Sequence, residues 1–528
     1  MSDRQRVVVV TGGGGGIGAA IAESIARTGT FVVTVDPLVS VDGSEQLAQP
    51  KETTAGRIVA AGGSARASAV SVTDQPAVSR LFCELADEFG GLDAVVNVAG
   101  ISRPTSFTRG SDIDWLSVLS VHLDGYRNVL EAALPLMAAA GRGHILGVTS
   151  GSGWRSADAG AYGCAKRAVA ALTWQIGRHA PDGVVVNAIS PIAATRMVAA
   201  AMGQAQTKSG ASTGGLSLGS MPTPDHLGPL GAHLIDDGFA SCHGRVLFAA
   251  GSEVAVIDEP RLIEVVRSDD VPSLVHLLES ATTIALVPAE TRQVSVGGSN
   301  ARFGSVFDEP PAEDVPGTAV RSCAVVADLP EVASALSGAL QARGVSSQPV
   351  DDPALLSDLG PLDAVVIALA PTPTPTTDSG SGWQRILTEH KAIVEQIHTD
   401  ARWTRAVADL AASRNHPIRL VTITAATTSG GRTRAQASAQ LARAGRKATC
   451  DMVLPFAVSS ESDEVPTELA VHLACSPAAE NLAGAELVSG AGWFGLRSHP
   501  RPIGSISFGG PAVPPWFDDV LREVLQPT

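Results

Sequence analysis

At 528 residues the chain is longer than one hydrophobic core fills, and with 45% hydrophobic and 17% charged residues it has the make-up of an ordinary globular protein of two or three domains. A formal net charge of −15 with no clustered run of Lys and Arg argues against a nucleic-acid partner, and no apolar run approaches the ~18 residues of a membrane span, so no membrane partner is expected. Six scattered cysteines lack metal or disulfide spacing, and without a signal-peptide pattern the expected location is cytoplasmic.

The β-branched run Arg6–Val10 reads as a strand. Gly12 to Gly16, Ile17 and Gly18 follow at once, and a helix is expected over 19–28. Such a turn brings backbone close to a pyrophosphate and aims free helix N–H groups at it. A second strand over 31–35 ends in Asp36, where an acid can bind both ribose hydroxyls and repel a 2′-phosphate, favouring NAD over NADP. A buried strand over 92–96 runs into Asn97-Val98-Ala99-Gly100, and a helix from about Asp112 carries Trp115 and His122 two turns apart on one face. The strand over 144–148 leads to Thr149 and Ser150, and after a Gly/Ser-rich loop comes a helix with Tyr162 and Lys166 four residues apart. Only two tyrosines occur, Tyr126 and Tyr162, so any chemistry that needs a phenol belongs to the first third of the chain. Strands and helices alternating at this spacing predict an α/β fold with a doubly wound parallel sheet, whose ligands bind beyond the carboxyl ends of the strands.

In this order and at about these intervals, Thr11-Gly12-x3-Gly16-Ile17-Gly18, Asn97-x-Ala99-Gly100, Ser150 and Tyr162-x3-Lys166 resemble the short-chain dehydrogenase/reductase family over residues 1 to about 280. His122, where most members have Asn, and Pro191-Ile192-Ala193-Ala194-Thr195-Arg196-Met197 are similar to the hydroxyacyl-CoA dehydrogenase part of multifunctional enzyme type 2. The resemblance implies a nicotinamide cofactor and an alcohol or ketone as small-molecule substrate, of 3-hydroxyacyl-CoA or hydroxysteroid type. It makes Tyr162 the acid/base, with Lys166 stabilising the phenolate and holding the ribose. Ser150 would orient the substrate oxygen, with Thr149 and Ser152 as alternatives, and His122 would relay protons or brace a helix kink. Gly12, Gly16, Ile17, Gly18, Asp36, Asn97, Ala99, Gly100, Pro191 and Thr195 would line the cofactor together with Tyr162 and Lys166. Ser71 and Val72 match positions flanking the adenine. An NADPH-dependent 3-oxoacyl reductase and a nucleotide-sensing scaffold are the competing readings.

From about Thr318 the chain repeats itself. Leu362-Asp363-Ala364-Val365-Val366 duplicates residues 92–96, and Trp383 with His390 repeats the spacing of Trp115 with His122. The working parts are missing: Ala327-Asp328-Leu329-Pro330 stands where the glycines should be, and no tyrosine is available. Residues 1–283 are therefore expected to form a catalytic Rossmann-like domain, 284–316 a linker, and 317–528 a second doubly wound domain lacking the cofactor motif. Family members associate through the helices carrying His122 and Tyr162, so the copy is expected to pair with the first half within one chain, with two chains making a homodimer. Residues 204–224 read as a lid or a plain insertion, and 372–381 as a mobile loop.

Overall fold

The computed structural model describes residues 4–156, 158–200, 221–267, 319–372 and 380–526, with scattered positions between 269 and 278. The expected linker lies outside the described residues, as do most of the expected lid and most of the loop over 372–381.

The first half runs β1 (Val7–Thr11), α1 (Gly16–Ala26), β2 (Phe31–Val35), α2 (Thr54–Ala60), β3 (Ser64–Ser68), α3 (Gln75–Phe89), β4 (Ala94–Asn97), α4 (Asp112–Leu119), α5 (Gly125–Ala140), β5 (Gly143–Val148), α6 (Gly160–His179), β6 (Val184–Pro191), α7 (Gly228–His233), β7 (Val246–Ala250), β8 (Glu253–Asp258) and β9 (Leu262–Arg267). The second runs β10 (Ser322–Ala327), α8 (Pro330–Ala342), β11 (Ser346–Pro349), β12 (Ala364–Ala368), α9 (Gly382–Glu389), α10 (Ile393–Arg414), β13 (Ile418–Ala425), α11 (Ser429–Ala448), β14 (Val453–Ser460), α12 (Thr467–Cys475), β15 (Glu486–Gly490), β16 (Trp493–Arg497), β17 (Arg501–Ser507) and α13 (Phe517–Leu525). Strands β3-β2-β1-β4-β5-β6-β7 lie parallel in that order, and β11-β10-β12-β13-β14-β15 do the same in the second sheet. The reason is visible in β1: all five residues of Val-Val-Val-Val-Thr are buried, as a strand covered by helices on both faces requires. The α/β class expected from the sequence is the one observed, with two mostly parallel sheets.

The last strands do not follow the expected division at 283 and 317. Strand β9 pairs antiparallel with β16 of the second sheet, and β17 pairs antiparallel with β8 of the first. Each sheet thus ends on a strand lent by the other half. The exchange covers two edges whose ladders would otherwise be open, and no local sequence pattern distinguishes a lent strand from a retained one.

The halves are one packed body. Helix α6 lies along α11, and α4 and α5 meet α9 and α10, so one apolar cluster runs from Trp115, Leu130 and Ile176 to Trp383, Ile397 and Leu441. Within it Arg167, fully buried, donates to Gln436 Oε1 at 3.0 Å and to Glu486 Oε2 at 2.5 Å, and Gln175 donates to Thr433 Oγ1 at 2.9 Å. No helix among the described residues is long and apolar enough to cross a membrane.

Candidate active site

Strand β1 delivers the chain to a turn that only glycine can make. Gly12 has φ +66°, and a Cβ there would lie 2.8 Å from the Ala99 nitrogen; at Gly18 it would strike the Gly12 carbonyl. Thr11 ties this turn to the end of β4. Its Oγ1 donates to Asn97 Oδ1 at 2.8 Å and accepts from Ala99 N at 3.2 Å. Beyond the turn the crowding stops: a Cβ on Gly15 or Gly16 would meet nothing closer than Arg196 Nη2 at 3.6 Å or Thr195 Cγ2 at 3.9 Å. Gly15 caps α1 without a side-chain hydrogen bond, and the first turn of α1 carries no acid. The result is an open cradle with a positive helix end on one side and Thr195 and Arg196 on the other, a shape and polarity that fit a dinucleotide pyrophosphate.

At the end of β2 the Asp36 carboxylate accepts from Gly14 N at 3.0 Å and from Leu38 N at 2.8 Å, which fixes an acid beside the cradle. Ser71 and Val72 follow β3. The Val72 carbonyl accepts from Asn128 Nδ2 at 2.9 Å, and the Ser71 hydroxyl bonds to Thr73 at 2.8 Å. Pro191 ends β6, and Thr195 Oγ1 accepts from Val198 N at 3.2 Å.

Tyr162 stands on the first turn of α6 with the Ser150 hydroxyl close by. Burial raises its phenol above the ordinary value, and the nearby Ser150 hydroxyl pulls it part of the way back down. Lys166, one turn on, is 4% exposed; its Nζ donates to the Val148 carbonyl at 2.6 Å and lies 5.7 Å from the Tyr162 ring centre. Burial alone brings its pKa from 10.5 to about 7. The three candidate hydroxyls separate here. Thr149 turns inward and donates to the Lys166 carbonyl, Ser152 belongs to the turn 151–153, and Ser150, which caps that turn, is the one near enough to Tyr162 to lower its pKa.

The regular helix expected through His122 is instead opened by a π-helical turn, Ser120–Asp124. That turn sends the His122 ring inward, where Nε2–H donates to the Ile101 carbonyl at 2.8 Å and the ring stands edge-on to Tyr162 at 5.1 Å. Gly100 makes room for it, since a Cβ there would strike the imidazole. Burial, then the Lys166 charge, holds the His122 pKa well below 6.5, so the ring is neutral at physiological pH. Nδ1 has no hydrogen-bond partner among the described residues.

The sequence profile described as short chain dehydrogenase matches residues 6–206, the span that carries all of these groups. A cis-4-hydroxycyclohexanecarboxylate dehydrogenase of Sinomonas cyclohexanicum is 32% identical over 256 residues, 48% of this chain and 98% of its own length. The chain is a short-chain dehydrogenase/reductase. A hydroxyacyl-CoA dehydrogenase of Mycobacterium tuberculosis is 31% identical to it over 273 residues, 49% of this chain and 81% of the relative. Peroxisomal multifunctional enzyme A of Dictyostelium discoideum is 33% identical over 38% of this chain and 45% of its own. Among solved structures, the N-domain of a bacterial malonyl-CoA reductase with NADP covers 92% of this chain and 97% of its own at a TM-score of 0.64 and 16% identity, a likeness of fold across both sheets. As a short-chain dehydrogenase/reductase the protein is an oxidoreductase acting on CH–OH groups. Thr11, whose hydroxyl locks the glycine turn to β4, and Arg196, which faces the cradle beside Thr195, join the site although their motifs alone assign them no role.

Proposed function

We propose that the first half oxidises a secondary alcohol to a ketone with NAD, on a substrate of 3-hydroxyacyl-CoA, hydroxysteroid or cyclic-alcohol type. The observation that carries this reading is the placement of Tyr162 beside the Ser150 hydroxyl with Lys166 buried one turn along the same helix, its Nζ 5.7 Å from the Tyr162 ring centre. The Tyr162 oxygen would take the hydroxyl proton during oxidation and return it during reduction. Ser150 holds the substrate oxygen against that phenol. Lys166, with no acid beside it among the described residues, is available to hold ribose hydroxyls and to favour the phenolate. The nicotinamide supplies the hydride acceptor, and the glycine turn, Asp36, Asn97, Thr195 and the Ser71–Val72 segment would hold the dinucleotide. The fixed Asp36 carboxylate favours a free ribose over a 2′-phosphate, hence NAD over NADP. Hydroxyacyl-CoA and hydroxycyclohexanecarboxylate dehydrogenases among the relatives support the substrate class. His122, neutral and bonded to Ile101, would brace the β4 loop against Tyr162 rather than carry a proton.

The second half is proposed to be a non-catalytic copy that takes the place of a partner subunit. Asp328 accepts from Ala370 N at 2.9 Å, so a carboxylate fills the mouth where the first half opens its glycine cradle. The start of α11 closes on α9: a Cβ on Gly430 would strike the Glu389 carbonyl, which leaves no space for a phenol.

The test is turnover of NAD with 3-hydroxyacyl-CoA, hydroxysteroid and hydroxycyclohexanecarboxylate substrates, alongside fluorescence titration with NADH and NADPH. Tyr162→Phe should lower kcat about a thousandfold with NADH affinity kept. A variant that still turned over, or tighter binding of NADPH than NADH, would contradict this reading.

A further inference from the structure

Ser150 is held in place from the other half of the chain. It caps the short turn Gly151–Gly153, its Oγ accepting from Ser152 N at 3.3 Å. Two carbonyls of the segment that follows, Ser152 and Arg155, both accept from Gln440 Nε2 of α11, at 3.1 and 3.0 Å. Two carbonyl acceptors at one amide fix its orientation, because only the NH2 end can donate and it has two hydrogens to give. Gln440 is 2% exposed. Gly163, next to Tyr162, clears the path: a Cβ there would lie 3.0 Å from the Ser152 carbonyl and 3.6 Å from Gln440 Cγ. The Ser150 turn, the first turn of α6 and α11 therefore meet at one buried amide.

Resting on the assignment of Ser150 and Tyr162 above, we propose that Gln440 is a positioning residue for the reaction: the second half fixes the Ser150 turn against the Tyr162 helix and so sets the alignment of the two hydroxyls. With the amide removed, the Ser152 and Arg155 carbonyls lose their donor and the turn is free to move away from α6. Misplacement of a reacting group by about 1 Å costs up to ~100-fold in rate. It would also move from Tyr162 the Ser150 hydroxyl that lowers its pKa.

The experiment compares two full-length variants that each break two side-chain hydrogen bonds at or beside the seam. Gln440→Met keeps length and loses the donor to Ser152 and Arg155, while Thr433→Val unpairs Gln175 and His390 away from the Ser150 turn. Gln440→Met should lower kcat about tenfold or more at unchanged NADH affinity, move the limb of the alcohol-oxidation pH profile upward, and speed amide hydrogen exchange at 151–155. Thr433→Val should do none of these. Gln440→Ala, which adds no bulk, gives the same readouts if Met is not accommodated. Unchanged kcat in both Gln440 variants, or an equal loss in Thr433→Val, would overturn the proposal. If no alcohol in the panel is oxidised, the proposed reaction fails by itself, and exchange at 151–155 still decides: equal rates in Gln440→Met and the parent sink the positioning role.

Discussion

Lys166 of the first half and Arg434 of the second, both buried cations, are handled in opposite ways. In the first, Lys166 is enclosed with a carbonyl for a partner, and burial drags its pKa to about 7. In the second, α11 buries Arg434 to 2% exposure, but Asp400 grips its guanidinium through two bonds at 2.8 and 2.7 Å and raises its pKa. Closure is opposite too. The glycine turn of the first half is open at Gly15 and Gly16, whereas the corresponding turn of the second is sealed by the bond from Ala370 to Asp328. A site kept for a ligand leaves charge unsatisfied and space unfilled, and both are costs to the fold. In the second half, the Asp400–Arg434 pair and the Ala370–Asp328 bond remove those costs.

Removing each cation in turn breaks this comparison most directly. Arg434→Met strands the Asp400 carboxylate in the core and should cost about 3–5 kcal/mol in urea unfolding, with Tyr162 and its neighbours untouched. Lys166→Met should abolish turnover, yet leave the protein more stable than the parent at pH 7, by a margin that shrinks as pH rises toward 10, since it removes a desolvated buried charge. Equal destabilisation by the two changes would mean that Lys166 has a charge partner the comparison overlooks.

The pH dependence of stability sharpens the same point with a smaller effect. Lys166 titrates at about 7 in the folded chain and near 10.5 when unfolded. Between those values the unfolded state binds the extra proton, so this residue makes stability rise with pH, by at most about 1.4 kcal/mol per unit. The penalty is complete below pH 7 and relieved as pH climbs toward 10. Unfolding of parent and Lys166→Met at pH 7, 8 and 9 should give curves that converge; parallel curves would show that the ammonium is not desolvated.

Much of this was legible in the sequence, because the parts are local. A strand, a glycine turn and a helix leave a pattern within a few residues, and Tyr162 and Lys166 share a helix face by spacing alone. Residue type could not separate Thr149, Ser150 and Ser152, which are equally hydroxylated; what sets Thr149 apart is its inward turn toward the Lys166 carbonyl, a matter of backbone direction. Gln440 was invisible. It meets Ser152 across 288 residues of sequence, and nothing about a glutamine in a helix says that two carbonyls wait opposite it. The exchanged strands β9 and β17 were hidden for the same reason: alternation predicts a strand but not which sheet receives it.

The histidines give the finest contrast between the halves. His390 uses both ring nitrogens, Nδ1–H toward the Ile386 carbonyl at 2.7 Å and Nε2 toward Thr433 Oγ1 at 2.8 Å, and burial lowers its pKa to about 4. His122 uses one, toward Ile101. An Asn amide at 122 can still donate to a carbonyl, so His122→Asn should keep kcat within about tenfold and change stability little, whereas His390→Asn cannot reach both partners and should cost about 1–2 kcal/mol without altering kcat. The pH profile adds the decisive reading. A ring held neutral by burial contributes no step near pH 6.5, so the profile of His122→Asn should superpose on the parent's. Loss of a limb near that pH would show that His122 does gain a proton in the working enzyme and relays it, and the persistence of His390 in a half without a phenol would then need a different explanation.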